Sequence, residues 1–342
     1  MRYSMKHSTD NTVRFSRGRS VFRCPVCQES LRCDGDRLIC SGGHSFDIAK
    51  HGYVNLAAGT KGSAEHYDKA SFQKRQQILN AGYYSHILEA LASIISELPN
   101  VITVLDAGCG EGFYARELAR CLGDKQLIAF DISRDSIQLA SKCDPDGLVQ
   151  WFVGDSAHLP IRSHSINCIL DIFAPANYGE FRRAMTRSGW IVKVIPGNGH
   201  LKEFRALAKN HLLHQDYSNQ QVIDYFAQHF QLADRRLVSQ TFTMPLSDRQ
   251  IFADMTPLLF HIDRSEIDLA KTETLTVEGE ILIGRPLDGD EGLDKPPRTG
   301  IHTKRSQSTE RGQNTKRSQS TERSQNAKRS RGSKRKKPDH MR

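Results

Sequence analysis

At 342 residues the chain can hold one large domain plus an accessory module, yet its hydrophobic fraction, 38%, is low for a chain packed throughout. Its net charge of +9 is uneven: residues 295–342 carry 16 Lys/Arg against 3 Asp/Glu, whereas the residues before them carry 32 against 36. Basicity is therefore a property of the tail, and no apolar run approaches about 18 residues, so neither a uniformly basic surface nor a membrane-spanning helix is expected.

Residues 1–20 lack the apolar stretch of a secretory signal and read as a short, basic, disordered lead-in. Four of the eight cysteines crowd into residues 24–40, and the other four are scattered singly. That spacing does not suit a secreted disulfide framework; it points to a reducing, cytoplasmic setting and one metal site. Cys24-Pro-Val-Cys27 is one knuckle and Cys40-Ser-Gly-Gly-His44 another, which together supply a tetrahedral Cys3His set for structural zinc. Asp34-Gly35 marks a hairpin between the two. Cys33 reads as a free thiol, with replacement of Cys40 or His44 as the alternative. A ribbon of this size, residues 21–60, needs the metal because it buries little apolar surface.

Residues 61–98 form a linking segment with a helical pattern broken at Gly82, which places Tyr84 just ahead of the sheet. A sheet domain is expected over 99–285. Its first strand, 101–106, runs into the turn Asp106-Ala-Gly108-Cys-Gly110-Glu-Gly112-Phe113, and a helix follows. Strand, glycine turn and helix make a nucleotide-binding unit, in which backbone approaches the ligand at a helix N-terminus. The pattern is D-x-G-x-G rather than G-x-G-x-x-G, and Asp131 ends the next strand, where a carboxylate can accept from ribose hydroxyls. That pairing resembles the S-adenosylmethionine site of Rossmann-like methyltransferases. Ser133 is the expected cap of a helix over 134–142. Asp155, or Ser156, follows the third strand (149–153) as the candidate partner of the adenine amino group. Strands over 166–173, 190–195, 236–244 and 275–283 bring the total to seven, with Ala174-Pro175-Ala176-Asn177 and His200 at strand exits. From 286 to 342 the composition turns low-complexity. A twelve-residue repeat, TKRSQSTERGQN then TKRSQSTERSQN, reads as a disordered basic tail: either an RNA-binding arm or a solvated extension.

Taken together, C-P-x-C…C-x3-H followed by SFDIAKHGYVNL, then RQQILNAGYYSHI, VLDAGCGEGFY, DSAHLPI, IFAPA and IPGNGHLKE, resemble the RlmA-type 23S rRNA (guanine-N1)-methyltransferases. The resemblance covers residues 22–284. It implies a class I methyltransferase fold with an N-terminal zinc ribbon, zinc on Cys24, Cys27, Cys40 and His44, and donor contacts at Tyr84, Gly112, Phe113 and His200. It also implies a guanine in a 23S rRNA hairpin as substrate and leaves a homodimer open. Arg23, Arg32, Arg37, Lys50 and His51 would grip phosphates. No general base is identified; Asp171 and His200 are the titratable candidates near the strand exits. The rival readings are a methyltransferase acting on tRNA or a small molecule, and a non-catalytic zinc-ribbon RNA-binding protein.

Overall fold

The structure, a computed structural model, describes residues 13–57, 69–211 and 218–287. The repeat tail, the first twelve residues and much of the linker after the ribbon lie outside the described residues.

Val13–Ser16 (α1) opens the described chain. Within the expected disordered lead-in, Val13–Ser16 is helical and buries Arg14 and Phe15, while residues 16–20 are exposed. The Arg14 guanidinium reaches Asp144 Oδ2 at 3.4 Å and the Val149 carbonyl at 3.4 Å. Asp144 in turn accepts from the Trp151 indole N–H at 2.9 Å. A buried arginine is stable only with such a counter-ion, and this one is supplied 130 residues away.

The ribbon is a three-stranded antiparallel sheet of Arg32–Asp34 (β1), Arg37–Ile39 (β2) and Ser45–Asp47 (β3). Gly35 turns the hairpin at φ +62°. Tyr53–Asn55 (β4) then leaves the ribbon and pairs in parallel with the main sheet.

Helices Lys69–Asn80 (α2) and Ser85–Glu97 (α3) flank the break at Gly82 and lead into Thr103–Ala107 (β5), whose five side chains are all buried. Then come Phe113–Cys121 (α4), Gln126–Asp131 (β6), Arg134–Lys142 (α5), Val149–Val153 (β7) and Ile166–Ile172 (β8). Ser133 caps α5 as expected, its hydroxyl accepting from the Ser136 N–H. Tyr178–Ala184 (α6), Met185–Pro196 (β9), Lys202–Leu207 (α7), Gln220–Ala227 (α8), Phe230–Thr243 (β10), Leu246–Met255 (α9) and Thr274–Pro286 (β11) complete the order.

The sheet runs β10-β11-β9-β8-β5-β6-β7-β4, parallel from β4 through β9, with β11 antiparallel to both β9 and β10. All seven expected strands are present, and the eighth, β4, comes from the ribbon side. The order reverses between β5 and β8, the crevice where open α/β sheets collect ligands. One apolar layer joins α3, α4 and α5 to one face, and the other joins Phe22, Phe152, Phe181 and Phe226 to the opposite face. No helix of the described residues is long and apolar enough to cross a membrane.

Candidate functional site

Two clusters stand out. In the first, the ligating atoms of Cys24, Cys27, Cys40 and His44 all lie within 4.8 Å of one another. Cys27 Sγ is 3.6 Å from Cys40 Sγ, which is 3.4 Å from His44 Nδ1. The edges of a tetrahedral zinc–thiolate site are about 3.8 Å, so the four residues fit zinc with no coordination position left open. Burial pushes the Cys40 thiol up, but hydrogen bonds from His44 and the neighbouring thiols outweigh it and hold the group near 6. Cys33 stands apart, its Sγ 3.6 Å from the Gly35 carbonyl.

The ribbon is fastened to the sheet domain along a seam. Phe22 bridges Ile161, and its ring meets Phe152 edge-on at 5.5 Å. The Arg23 N–H donates to the Pro160 carbonyl at 3.0 Å, its Nε to the Leu159 carbonyl at 3.3 Å, and its Nη2 lies 3.5 Å from Glu180. Arg23, expected to hold phosphates, is thus committed to the seam, while Arg32, Arg37 and Lys50 are exposed and His51 is half-buried.

The second cluster is the crevice. Gly108, Gly110 and Gly112 have φ of +73°, +57° and +78°. A Cβ on Gly108 would lie 2.8 Å from the Ala174 Cβ, and one on Gly112 would lie 2.5 Å from the Trp151 ring, so the turn tolerates only glycine there. Asp131 receives the Gly110 N–H on Oδ2 at 2.9 Å and the Ser133 N–H on Oδ1 at 2.8 Å. Asp106 is buried and its Oδ2 has no hydrogen-bond partner among the described residues. Burial pushes its carboxyl up to about 8; Glu111, Asp131 and Asp171 add to the rise and Arg75 opposes it. An orphaned acid beneath an open glycine turn fits the amino and sulfonium charges of S-adenosylmethionine.

Aromatic rings wall the crevice. Tyr84 stacks on Phe252 and meets Phe173 edge-on, both at 6.0 Å, and Phe173 stacks on His200 at 6.2 Å. Burial holds His200 down at about 4, so the ring is neutral. Its Nδ1 accepts the Glu278 N–H at 3.1 Å, which leaves Nε2 with the proton, as a donor. Phe113 opens α4, buried against Tyr114. Asp155 sits at the exit of β7, where Oδ1 accepts from the Ala157 N–H at 2.8 Å and caps a short 3-10 turn.

The fold therefore gathers Tyr84, Asp106, the glycines, Asp131 and His200 around one crevice and sets Asp155 at its neighbouring strand exit. Two participants, Glu111 and Arg75, were not expected from sequence; Phe173, read there as a core residue or one that stacks on the base, takes a conformation the sequence did not announce. Glu111 is a buried acid inside the glycine turn, and Arg75 Nε lies 3.4 Å from its Oε2. Phe173 holds a left-handed backbone, φ +52°. Glu111 was readable as a third acid of the motif; Arg75, one of several charges on α2, carried no distinguishing signal.

The N-terminal region, residues 22–61, matches the family described as RlmA, N-terminal, and residues 104–188 match the methyltransferase domain family. The Bacillus subtilis protein YxjB, provisionally named a 23S rRNA (guanine-N(1)-)-methyltransferase, is 33% identical over 279 residues, which is 78% of this chain and 97% of YxjB. The Streptomyces fradiae 23S rRNA (guanine(748)-N(1))-methyltransferase is 27% identical over 287 residues, 81% of this chain and 99% of that one.

Proposed function

The chain belongs to the RlmA-type 23S rRNA (guanine-N1)-methyltransferase family, and from that premise we propose how its residues divide the work. It is an S-adenosylmethionine-dependent enzyme that methylates N1 of a guanine in 23S rRNA. The observation that carries the reading is the pairing, in one chain, of a closed Cys3His cluster on the ribbon with a glycine turn over a buried acid on the main sheet.

S-adenosylmethionine supplies an activated methyl group, so the protein's work is alignment and exclusion of water. Tyr84, Asp106, Gly108, Gly110, Gly112, Phe113, Asp131 and His200 form the donor site, and Asp155 is its adenine-side member. In this assignment Asp131 keeps the turn in shape through Gly110 while offering oxygen to ribose hydroxyls. The neutral His200 acts as a hydrogen-bond donor through Nε2 rather than as a base.

N1 of a paired guanine is hidden, so the target enters as an unpaired or extruded base at the strand exits. The natural entrance is beside Phe173 and Pro175, and a guanine in a hairpin loop of 23S rRNA meets that requirement. Asp171 is fully buried and ion-paired, so it does not touch the base. Residues 21–60 serve as the RNA-recognition module, with Arg32, Arg37 and Lys50 facing phosphates. The enzyme works where ribosomal RNA is made, in the cytoplasm.

Mass-spectrometric mapping of 23S rRNA from cells with and without the protein tests the reading. One N1-methylguanine should vanish with the gene; identical maps would overturn the assignment.

A further inference from the structure

Asp171 and Lys193 are directly paired residues of the neighbouring strands β8 and β9, at the end of the sheet that faces the crevice. Lys193 Nζ lies 2.6 Å from Asp171 Oδ2, and the two side chains are 7% and 0% exposed. Removing two charges from water is costly, and an apolar pair of similar volume serves stability as well or better, so stability alone does not explain this one. The same Nζ donates to the Ala174 carbonyl at 3.3 Å, three residues beyond Asp171.

That bond closes the exit of β8 into a short loop around Phe173. A left-handed backbone at a bulky aromatic is strained and persists only where its surroundings fix it. The Phe173 N–H is held by the Val194 carbonyl at 3.0 Å, and the Ala174 carbonyl is held by Lys193. On the other side Ala174 abuts Gly108 so closely that no Cβ fits between them. The turn therefore sits between the donor turn and the rings of Tyr84 and His200, where a displacement of about 1 Å is enough to misalign an in-line transfer.

We propose that the buried Asp171–Lys193 pair is a positioning device for methyl transfer, which holds the Phe173 and Ala174 turn against the glycine turn through the Ala174 carbonyl. Neither residue touches substrate. The kinetic side of this assignment rests on the proposed function; the structural side does not.

The test uses the whole protein with both charges replaced, Asp171→Leu with Lys193→Met, so that no lone charge is left buried. The variant should fold, keep donor affinity within about threefold, and exchange the Phe173 amide at least about tenfold faster. Its kcat on 23S rRNA should fall about thirtyfold while KM stays within about threefold. Asp171→Asn with Lys193→Gln, which also removes both charges but keeps an N–H donor on the Ala174 side, should fall between the apolar double variant and the wild type. Unchanged amide exchange, or a kcat within threefold of wild type, overturns the proposal, as does an Asn/Gln enzyme no better than the apolar double variant. A wild-type chain without turnover would count against the proposed function, and the exchange measurement would still judge the pair.

Discussion

The three strands of the ribbon hold one fully buried side chain, Leu38, whereas every side chain of β5 and β7 is buried. The sheet domain is therefore held by apolar burial, which depends on the whole layer and tolerates the loss of any one polar contact. The ribbon depends on four atoms around one metal and on a seam through Phe22 and Arg23. In the proposed division of work, recognition falls on the part held by few interactions and the donor site on the part held by many.

Removing the metal should split the two regions most widely. Chelation should strip amide protection from residues 24–47 and lower RNA methylation by about a hundredfold or more, since structural zinc supplies most of such a module's folding free energy. Donor affinity should change by less than threefold, measured by calorimetry on the same sample. Equal loss of both would mean that the seam transmits unfolding into the sheet.

The reverse perturbation is Gly112→Ala. The added Cβ meets the Trp151 ring and Ala140 at a backbone φ of +78°, so the expected cost is about 3 kcal/mol, from left-handed strain plus overpacking. Urea unfolding should show the loss in the sheet domain, and donor affinity should fall with it, while zinc content stays at one ion per chain. A fall in zinc content would blur the distinction.

The smallest effect concerns pH. Asp106 titrates near 8 in the fold and near 4 when unfolded, so between those values the folded carboxyl holds a proton that the unfolded chain has released. Its contribution to stability is present at low pH and declines as pH rises through about 8. Binding of a cationic donor has the opposite sign, because the ionised carboxylate attracts it. Affinity should rise severalfold from pH 7 to pH 9, with a midpoint near 8, and Asp106→Asn should give a flat titration. A sloping titration in that variant would place the ionising group elsewhere.

Much of this was legible in the sequence where the signal is local. Glycines between an acid and a helix, a serine ahead of α5 and paired knuckles each act through near neighbours. The long strands β9 and β10 begin earlier than expected, at Met185 and Phe230, because ladder pairing extends them past their apolar runs. Other features depend on distant partners and left no trace. Arg14 reads as one more charge in a basic lead-in until Asp144 is folded beside it. Arg23 looks like a phosphate ligand until Glu180 claims it. The three-residue β4 has too little pattern to announce a strand, and the left-handed turn at Phe173 is set by what surrounds it.

Because β4 covers the flank of β7, the two regions cannot be parted cleanly. A version of the enzyme trimmed to its sheet domain would leave Val149–Val153, apolar except for Gln150, as a bare border ready to stack against its own kind. Grafting the ribbon onto another scaffold would likewise have to carry Tyr53–Asn55 along with it.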